Sequence, residues 1–248
     1  MGDKWVWPKT EMELADAVIA WLQVDGWEVW TEVQFSSGGP IADIIAVRGP
    51  LVWVIECKKS LGFTVLSQAW EWRSLANMVS VAVPKVQDEK QWRFGIMAME
   101  SFGVGLLVAN RGEWSDAATI IQRVDAGLRR DRWLSRLGSQ ELKEYLQRVP
   151  QTFARAGNSD GKRWTPAKMA ARDLAVYVRD NPGTTFSSAV REITTAYSSI
   201  HSAASALRDR VKSGGVPGVR FGHDEGKPFC LFPVDCGGAL DRPKAEDW

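Results

Sequence analysis

A carboxylate inside an apolar strand is costly to bury without a partner, and Asp43 stands in such a run, Ile41-Ala42-Asp43-Ile44-Ile45-Ala46-Val47. A bound cation would serve. Thirteen residues on, Glu56 ends a second apolar run, Leu51-Val52-Trp53-Val54-Ile55, and Lys58 follows with one residue between. Alternation along a strand puts Glu56 and Lys58 on one face, and the short turn Arg48-Gly49-Pro50 can bring Asp43 beside them. Two carboxylates and one backbone carbonyl, that of Cys57, make a hard-oxygen set suited to Mg²⁺ or Mn²⁺. Such an ion polarises a phosphodiester and acidifies a bound water, while a lysine orients that water or balances charge developing on the phosphate. These residue types point to phosphodiester hydrolysis.

The elements that must position them read as follows. Leu14, Val18, Trp21 and Leu22 recur at helical spacing after Thr10, and Gly26 closes the stretch. Residues 28–35 alternate as a strand, Ser36-Ser37-Gly38-Gly39-Pro40 breaks it, and runs 41–47 and 51–56 complete a three-strand meander. A helix is expected over 66–78, a buried strand over 79–84, a helix over 87–101 and a strand over 103–109. The order α-β-β-β-α-β-α-β predicts an α/β domain, residues 1–125, with a mixed central sheet flanked by helices on both faces.

Pro40-x-x-Asp43 followed by Glu56-Cys57-Lys58 resembles the PD-(D/E)XK nuclease superfamily, which includes restriction endonucleases and Holliday-junction resolvases. The resemblance covers the first half of the chain and implies a restriction-endonuclease-like fold. It also implies Mg²⁺ or Mn²⁺ as cofactor, DNA as partner and, as in many relatives, a homodimer. Pro40 lies three residues before Asp43, so the literal Pro-Asp pair is absent. Members often carry an acid on the first helix and a glutamine on a later one. Gln68-Ala69-Trp70-Glu71-Trp72 looks like the glutamine motif, with Trp72 where an aromatic is common. For the first-helix acid, Glu11 shares the face of Leu14 and Val18, whereas Glu13 completes a Thr-x-x-Glu capping box from Thr10. Glu11 is therefore assigned to the catalytic and metal site and Glu13 to the cap, with Glu32 a weaker candidate.

Residues 126–162 read as a helical connector ending in the linker-like Ala156-Gly157-Asn158-Ser159-Asp160-Gly161-Lys162. Over 163–234, helices at 165–179, 186–193 and 196–212 precede a hairpin from Val219-Arg220-Phe221 to 228–233. That is the element order of a small winged helix-turn-helix domain, in which the third helix enters a groove and the wing touches phosphate. The DNA-binding candidates are Tyr197, Ser198, Ser199, His201, Ser202 and Arg208 on the third helix, with Arg220 and Lys227 on the wing. The tail, 235–248, reads as loose.

The hydrophobic fraction of 45% and charged fraction of 25% suit a globular protein, and no apolar run is long enough to cross a bilayer. The first eight residues lack the organisation of a secretory signal, so a cytoplasmic protein is expected, away from membranes. Three cysteines without framework spacing predict no disulfide, and His201 and His223 form no zinc spacing with Cys230 and Cys236. A net charge of +1 means that nucleic-acid affinity must come from local basic patches. Two functions fit: a metal-dependent deoxyribonuclease, or a catalytically silent nuclease fold that regulates by binding DNA or docking a protein.

Overall fold

The computed structural model describes residues 8–85, 89–111, 118–128, 133–151, 154–157, 163–193, 197, 199–224 and 227–234. It divides into two units, Met1–Val33 with Pro40–Arg163, and Gln34–Gly39 with Trp164–Trp248.

The first unit opens with α1 (Glu11–Val24), started by Thr10, whose hydroxyl accepts the Glu13 N–H at 3.0 Å. The Glu13 carboxylate in turn accepts the Lys9 N–H at 2.7 Å, so both capping partners are engaged. Strands β1 (Glu28–Gln34), β2 (Ile41–Arg48) and β3 (Leu51–Cys57) follow. Next come α2 (Phe63–Glu71), a 3-10 turn (Trp72–Ser74), β4 (Met78–Pro84), α3 (Glu89–Phe102), β5 (Gly105–Arg111), β6 (Ala118–Val124) and α4 (Trp133–Leu146). The six strands form one sheet in the order β1-β2-β3-β4-β5-β6. The β2–β3 and β5–β6 pairs are antiparallel, and the β3–β4 and β4–β5 pairs, which need crossover connections, are parallel. The mixed sheet with flanking helices is as expected, with β6 as an additional edge strand.

Side-chain parity separates the two faces. Ile44, Trp53, Ile55, Cys57, Ala82, Leu107 and Ala109 cluster with Leu14, Val18 and Leu22, so α1 covers that face. Trp53 is its hub: its ring meets Trp21 and Trp27 edge-on at 5.9 and 5.4 Å, and its indole N–H donates to Ser80 Oγ at 2.9 Å. Cover on both sides explains why β3 and β4 are buried from end to end instead of alternating. The expected helix over 66–78 is shorter, α2 giving way at Trp72 to the 3-10 turn that leads into β4.

α4 is built into this first unit. Asn77 accepts the Val52 N–H at 2.8 Å and faces Ser139 of α4 at 3.4 Å, and Lys143 Nζ donates to the Gly49 carbonyl at 2.7 Å. Further on, the Val149 carbonyl accepts the buried Trp30 indole N–H at 3.1 Å, and the Ala154 carbonyl accepts the Thr31 hydroxyl.

In the second unit, α5 (Pro166–Asp180), β7 (Thr184–Thr185), α6 (Phe186–Glu192), α7 (Ile200–Lys212), β8 (Val219–Asp224) and β9 (Lys227–Pro233) surround a core of Leu174, Val178, Phe186, Leu207, Val211 and Leu231. Its antiparallel sheet runs β7-β9-β8. α7 begins at Ile200, later than the expected 196, because Ser199 supplies the cap. Gln34 N–H donates to the carbonyl of the fully buried Trp164 at 3.1 Å, both within this unit. The tail expected to be loose lies outside the described residues.

The β2–β3 turn decides the register. Arg48 pairs with Leu51, leaving Gly49 and Pro50 as the turn, and Gly49 has φ 57, a conformation that a β-branched residue adopts only under strain. Gly49→Val should therefore lower stability by about 1–2 kcal/mol in urea unfolding, although nothing within 4 Å of the glycine would clash with an added Cβ.

Candidate active site

The register Ile44↔Ile55, carried one residue further, sets Asp43 opposite Glu56 on the sheet face away from α1. Both are buried, Asp43 9% and Glu56 1% exposed. Asp43 Oδ2 accepts the Cys57 N–H at 2.7 Å and a bond from Lys58 Nζ at 3.2 Å. Lys58 Nζ also lies 3.6 Å from Glu11 Oε2, which stands in the first turn of α1. From the other face, the Trp72 indole N–H donates to Glu56 Oε1 at 2.9 Å. The hairpin, the start of α1 and the end of α2 thus meet at the carboxyl end of β3.

Electrostatics follow from that crowding. Burial, reinforced by Asp43, pushes the Glu56 carboxyl up to about 8, and Lys58 and the Trp72 N–H only partly oppose this. The rise belongs to Glu56, whose carboxyl is the one favoured to hold a proton when no cation is bound. For Lys58, burial pulls the ammonium down, but Asp43 and Glu11 outweigh it and the net shift is upward. Burial, then Asp43 and Glu56, push the Cys57 thiol well above its ordinary value, which leaves it a neutral, packed side chain.

Two further groups belong to this neighbourhood. Glu32 is 6% exposed and, among the described residues, the one non-glycine with positive φ, at 52. Its Oε1 accepts the Gly157 N–H at 2.8 Å. Its carboxyl is raised, first by burial, with the Gly157 bond opposing and the Asp43 charge adding to the rise. Gly157 itself sits against α1: an added Cβ would lie 2.9 Å from the Glu11 carbonyl carbon and the Met12 nitrogen. Glu32 and the bond from Trp72 to Glu56 differ in how far the sequence points to them. An acid in the apolar frame of β1 was the available signal for the first; the second needs the fold. Among the described residues, no three His, Cys, Asp or Glu side chains are grouped to hold a metal, so the carboxylate pair with a backbone carbonyl is the donor set to consider. Gln68 lies on α2 four residues before Trp72, on the same side of the helix, and its Oε1 is buried with no hydrogen-bond partner among the described residues.

The residues expected to read DNA fall in the second unit. Ser199 Oγ accepts the Ser202 N–H at 3.1 Å and lies 2.9 Å from Ser202 Oγ, so both hydroxyls are engaged in capping α7. Tyr197 is half-buried on the second core, and burial pushes its phenol up. His201 and Arg208 are exposed on α7, with Arg208 5.3 Å from the Phe186 ring. Arg220 is exposed on β8, 6.0 Å from the Phe232 ring, and Lys227 opens β9. Ser198 lies outside the described residues.

Comparison with protein-family models, curated proteins and solved structures finds no match for this chain.

A carboxyl raised to about 8 in the folded state and ordinary when unfolded favours folding below the unfolded value near 4.5. That contribution is lost as pH rises through the window to about 8. Glu56→Gln keeps the Trp72 acceptor and removes the titration. Without divalent cations it should raise the melting temperature on the order of 5 °C at pH 8, with the gain shrinking toward pH 5. Thermal melts across that range check this, and a gain independent of pH would contradict it.

Proposed function

We propose that the first unit is a metal-dependent deoxyribonuclease that hydrolyses phosphodiester bonds, with DNA held in part by the second unit acting as a winged helix. The observation that carries the reading is the buried, directly opposed pair Asp43–Glu56 with Lys58 two residues on. Such a pair holds a proton or a cation, and its hard oxygens suit Mg²⁺ or Mn²⁺. Asp43 and Glu56, with the Cys57 carbonyl, would hold the ion, and Glu11 borders them through Lys58. The ion, when bound, supplies charge neutralisation on the phosphate and an acidified water.

The chain's own groups do the rest. Asp43 and Glu11 hold the Lys58 ammonium in its charged form, where it can donate to a phosphate oxygen or orient the attacking water. The Cys57 N–H and the Trp72 N–H anchor the two carboxylates so that neither has to reorient during reaction. Gln68, one turn before Trp72 on α2, is the further candidate; its Oε1, buried and without a partner among the described residues, suits a donor that arrives with substrate or water. The element order α1-β1-β2-β3-α2-β4, with the carboxylate pair on the β2–β3 hairpin, supports this reading.

In the second unit, three helices with a three-stranded antiparallel sheet support the winged-helix reading. Ala203, Leu207 and Val211 of α7 are buried, which leaves His201, Ser205, Arg208 and Lys212 along its exposed face. Arg220 and Lys227 stand on the hairpin.

A second reading is a silent nuclease fold that regulates by binding DNA. The Lys58 salt bridges to Asp43 and Glu11 favour it, because they let the site persist without an ion. Cleavage of plasmid, linear, single-stranded and branched DNA with Mg²⁺ or Mn²⁺ decides between them. Asp43→Ala, Glu56→Ala and Lys58→Ala should each reduce cutting by about 10²–10³-fold; DNA bound but uncut by the wild type under every condition would establish the silent reading. For the second unit, Arg208→Ala combined with Lys212→Ala should reduce the slope of log affinity against log salt by about 2 if both contact phosphate.

A further inference from the structure

The first unit contains a cavity of about 480 Å³ lined by three cations, Lys85, Arg93 and Arg123, together with Trp92, Val108, Asn110 and two isoleucines. Among the described residues no carboxylate lines it. Trp92 and Arg93 come from α3, Val108 and Asn110 from β5, and Arg123 from β6; Lys85 follows β4, its N–H fixed on the Ala109 carbonyl at 2.9 Å. Among the described residues that line it, three cations and no acid favour a ligand with more than one anionic oxygen. A half-buried indole and a valine offer it a flat apolar wall, and Asn110 can both donate and accept. A nucleotide, with a phosphate and a planar base edged by donors and acceptors, combines these properties.

Sheet geometry ties the cavity to the carboxylate pair. Glu56 is in register with Val81, and Val83, two residues on, with Val108, so Glu56, Val108 and Asn110 share one face. β3, β4 and β5 are parallel, and Lys58, Lys85 and Asn110 all stand toward their carboxyl ends. Two strand spacings separate β3 from β5, about 10 Å. We infer that this cavity binds one nucleotide unit of a single-stranded stretch of polynucleotide, a short way along the strand from the phosphate held at Asp43, Glu56 and Lys58, with its base against Trp92. A single-stranded stretch is required because a base in a duplex keeps its faces stacked on its neighbours. The inference rests on the nuclease reading for the position of the cut phosphate, though not for the existence of the cavity's ligand.

The test measures binding of labelled single-stranded oligonucleotides of two to ten nucleotides by fluorescence anisotropy, without divalent cation, to the full chain and to Arg93→Glu/Arg123→Glu. Binding of a free nucleoside monophosphate is followed by calorimetry. All three cations are exposed, so charge reversal leaves the core intact, and equal melting temperatures check this. The expected result is an affinity that rises with length over the first few nucleotides and falls about 10-fold or more in the double variant. Trp92→Tyr, which keeps a stacking face, should retain binding that Trp92→Leu loses. Oligonucleotide affinity unchanged by both sets of variants would overturn the inference. So would loss of monophosphate binding alone, which would make the cavity a free-nucleotide site. DNA cut normally by Arg93→Glu/Arg123→Glu, with unchanged affinity, would sink this subsite and leave the nuclease standing. A wild type that never cuts, yet binds single strands through Arg93, Arg123 and Trp92, would sink the nuclease and leave the subsite.

Discussion

Two carboxyl groups facing each other across neighbouring strands, both cut off from water, cannot both be ionised unless something positive or a proton lies between them. Asp43 and Glu56 are in that position, and much of the first unit is arranged around its consequences. Moving a lone carboxylate from water into a protein interior costs several kcal/mol even after relaxation. The surroundings offset that with a backbone N–H from Cys57, an ammonium from Lys58 and an indole N–H from Trp72. These donors come from the same hairpin and from the helix that leaves it, so the pair and its compensation are placed by one local piece of chain. The tightness of the two-residue turn at Gly49 and Pro50 matters for the same reason: a slip of one residue would send Glu56 to the α1 face and set Asp43 opposite an apolar neighbour.

The mixed sheet does what an all-antiparallel one could not. Its antiparallel half gives the close cross-strand approach of Asp43 and Glu56, and its parallel half brings the carboxyl ends of β3, β4 and β5 to one edge. Ligands of open α/β sheets collect along such edges, where the strands stop and the connections diverge. α1 reaches that edge from one face with Glu11, and the end of α2 reaches it from the other with Trp72. Glu32 and Gly157 close the neighbourhood from β1 and the 154–157 segment, with Glu32 held in a backbone conformation that costs an ordinary residue about 1–2 kcal/mol. Strain of that kind persists only where the surroundings over-determine it.

What could be read in the sequence was whatever depends on local pattern. The apolar runs of β2 and β3 around Asp43 and Glu56 and the Thr10–Glu13 capping box all lie within a few residues of chain, where periodicity and capping chemistry operate. β6 escaped because an edge strand buries less of itself: Ile121 remains exposed, so Ala118–Val124 carries no long apolar run. Residues 133–146 showed the pattern of an amphipathic helix, but no pattern announces which surface an apolar stripe will meet, and the contacts with Ser139 and Lys143 arise more than sixty residues away in sequence. The same limit hid the bond from Trp72 to Glu56 and the positive φ of Glu32. In the third helix of the second unit, Ser199 and Ser202 are also used in starting the helix, a local role that propensity does not separate from contacts with bases.

The distribution of charge bears on what such a site needs from the rest of the molecule. Glu11, Glu32, Asp43 and Glu56 gather around one lysine, so the immediate surroundings of the pair repel a polyanion even with a proton on Glu56. A net charge of +1 supplies no long-range attraction to overcome this. For the proposed nuclease, two remedies exist: a divalent cation at the carboxylates, which reverses the local sign, and cationic side chains beyond the repulsive zone that hold the backbone while the scissile phosphate is brought in. At about 0.15 M salt the Debye length is about 8 Å, so cations two or three strands away act on their own phosphates and do little to cancel the field at Glu56. The two remedies are therefore separable. Affinity should reside in the arginines and lysines at the periphery, and dependence on metal in the carboxylate pair.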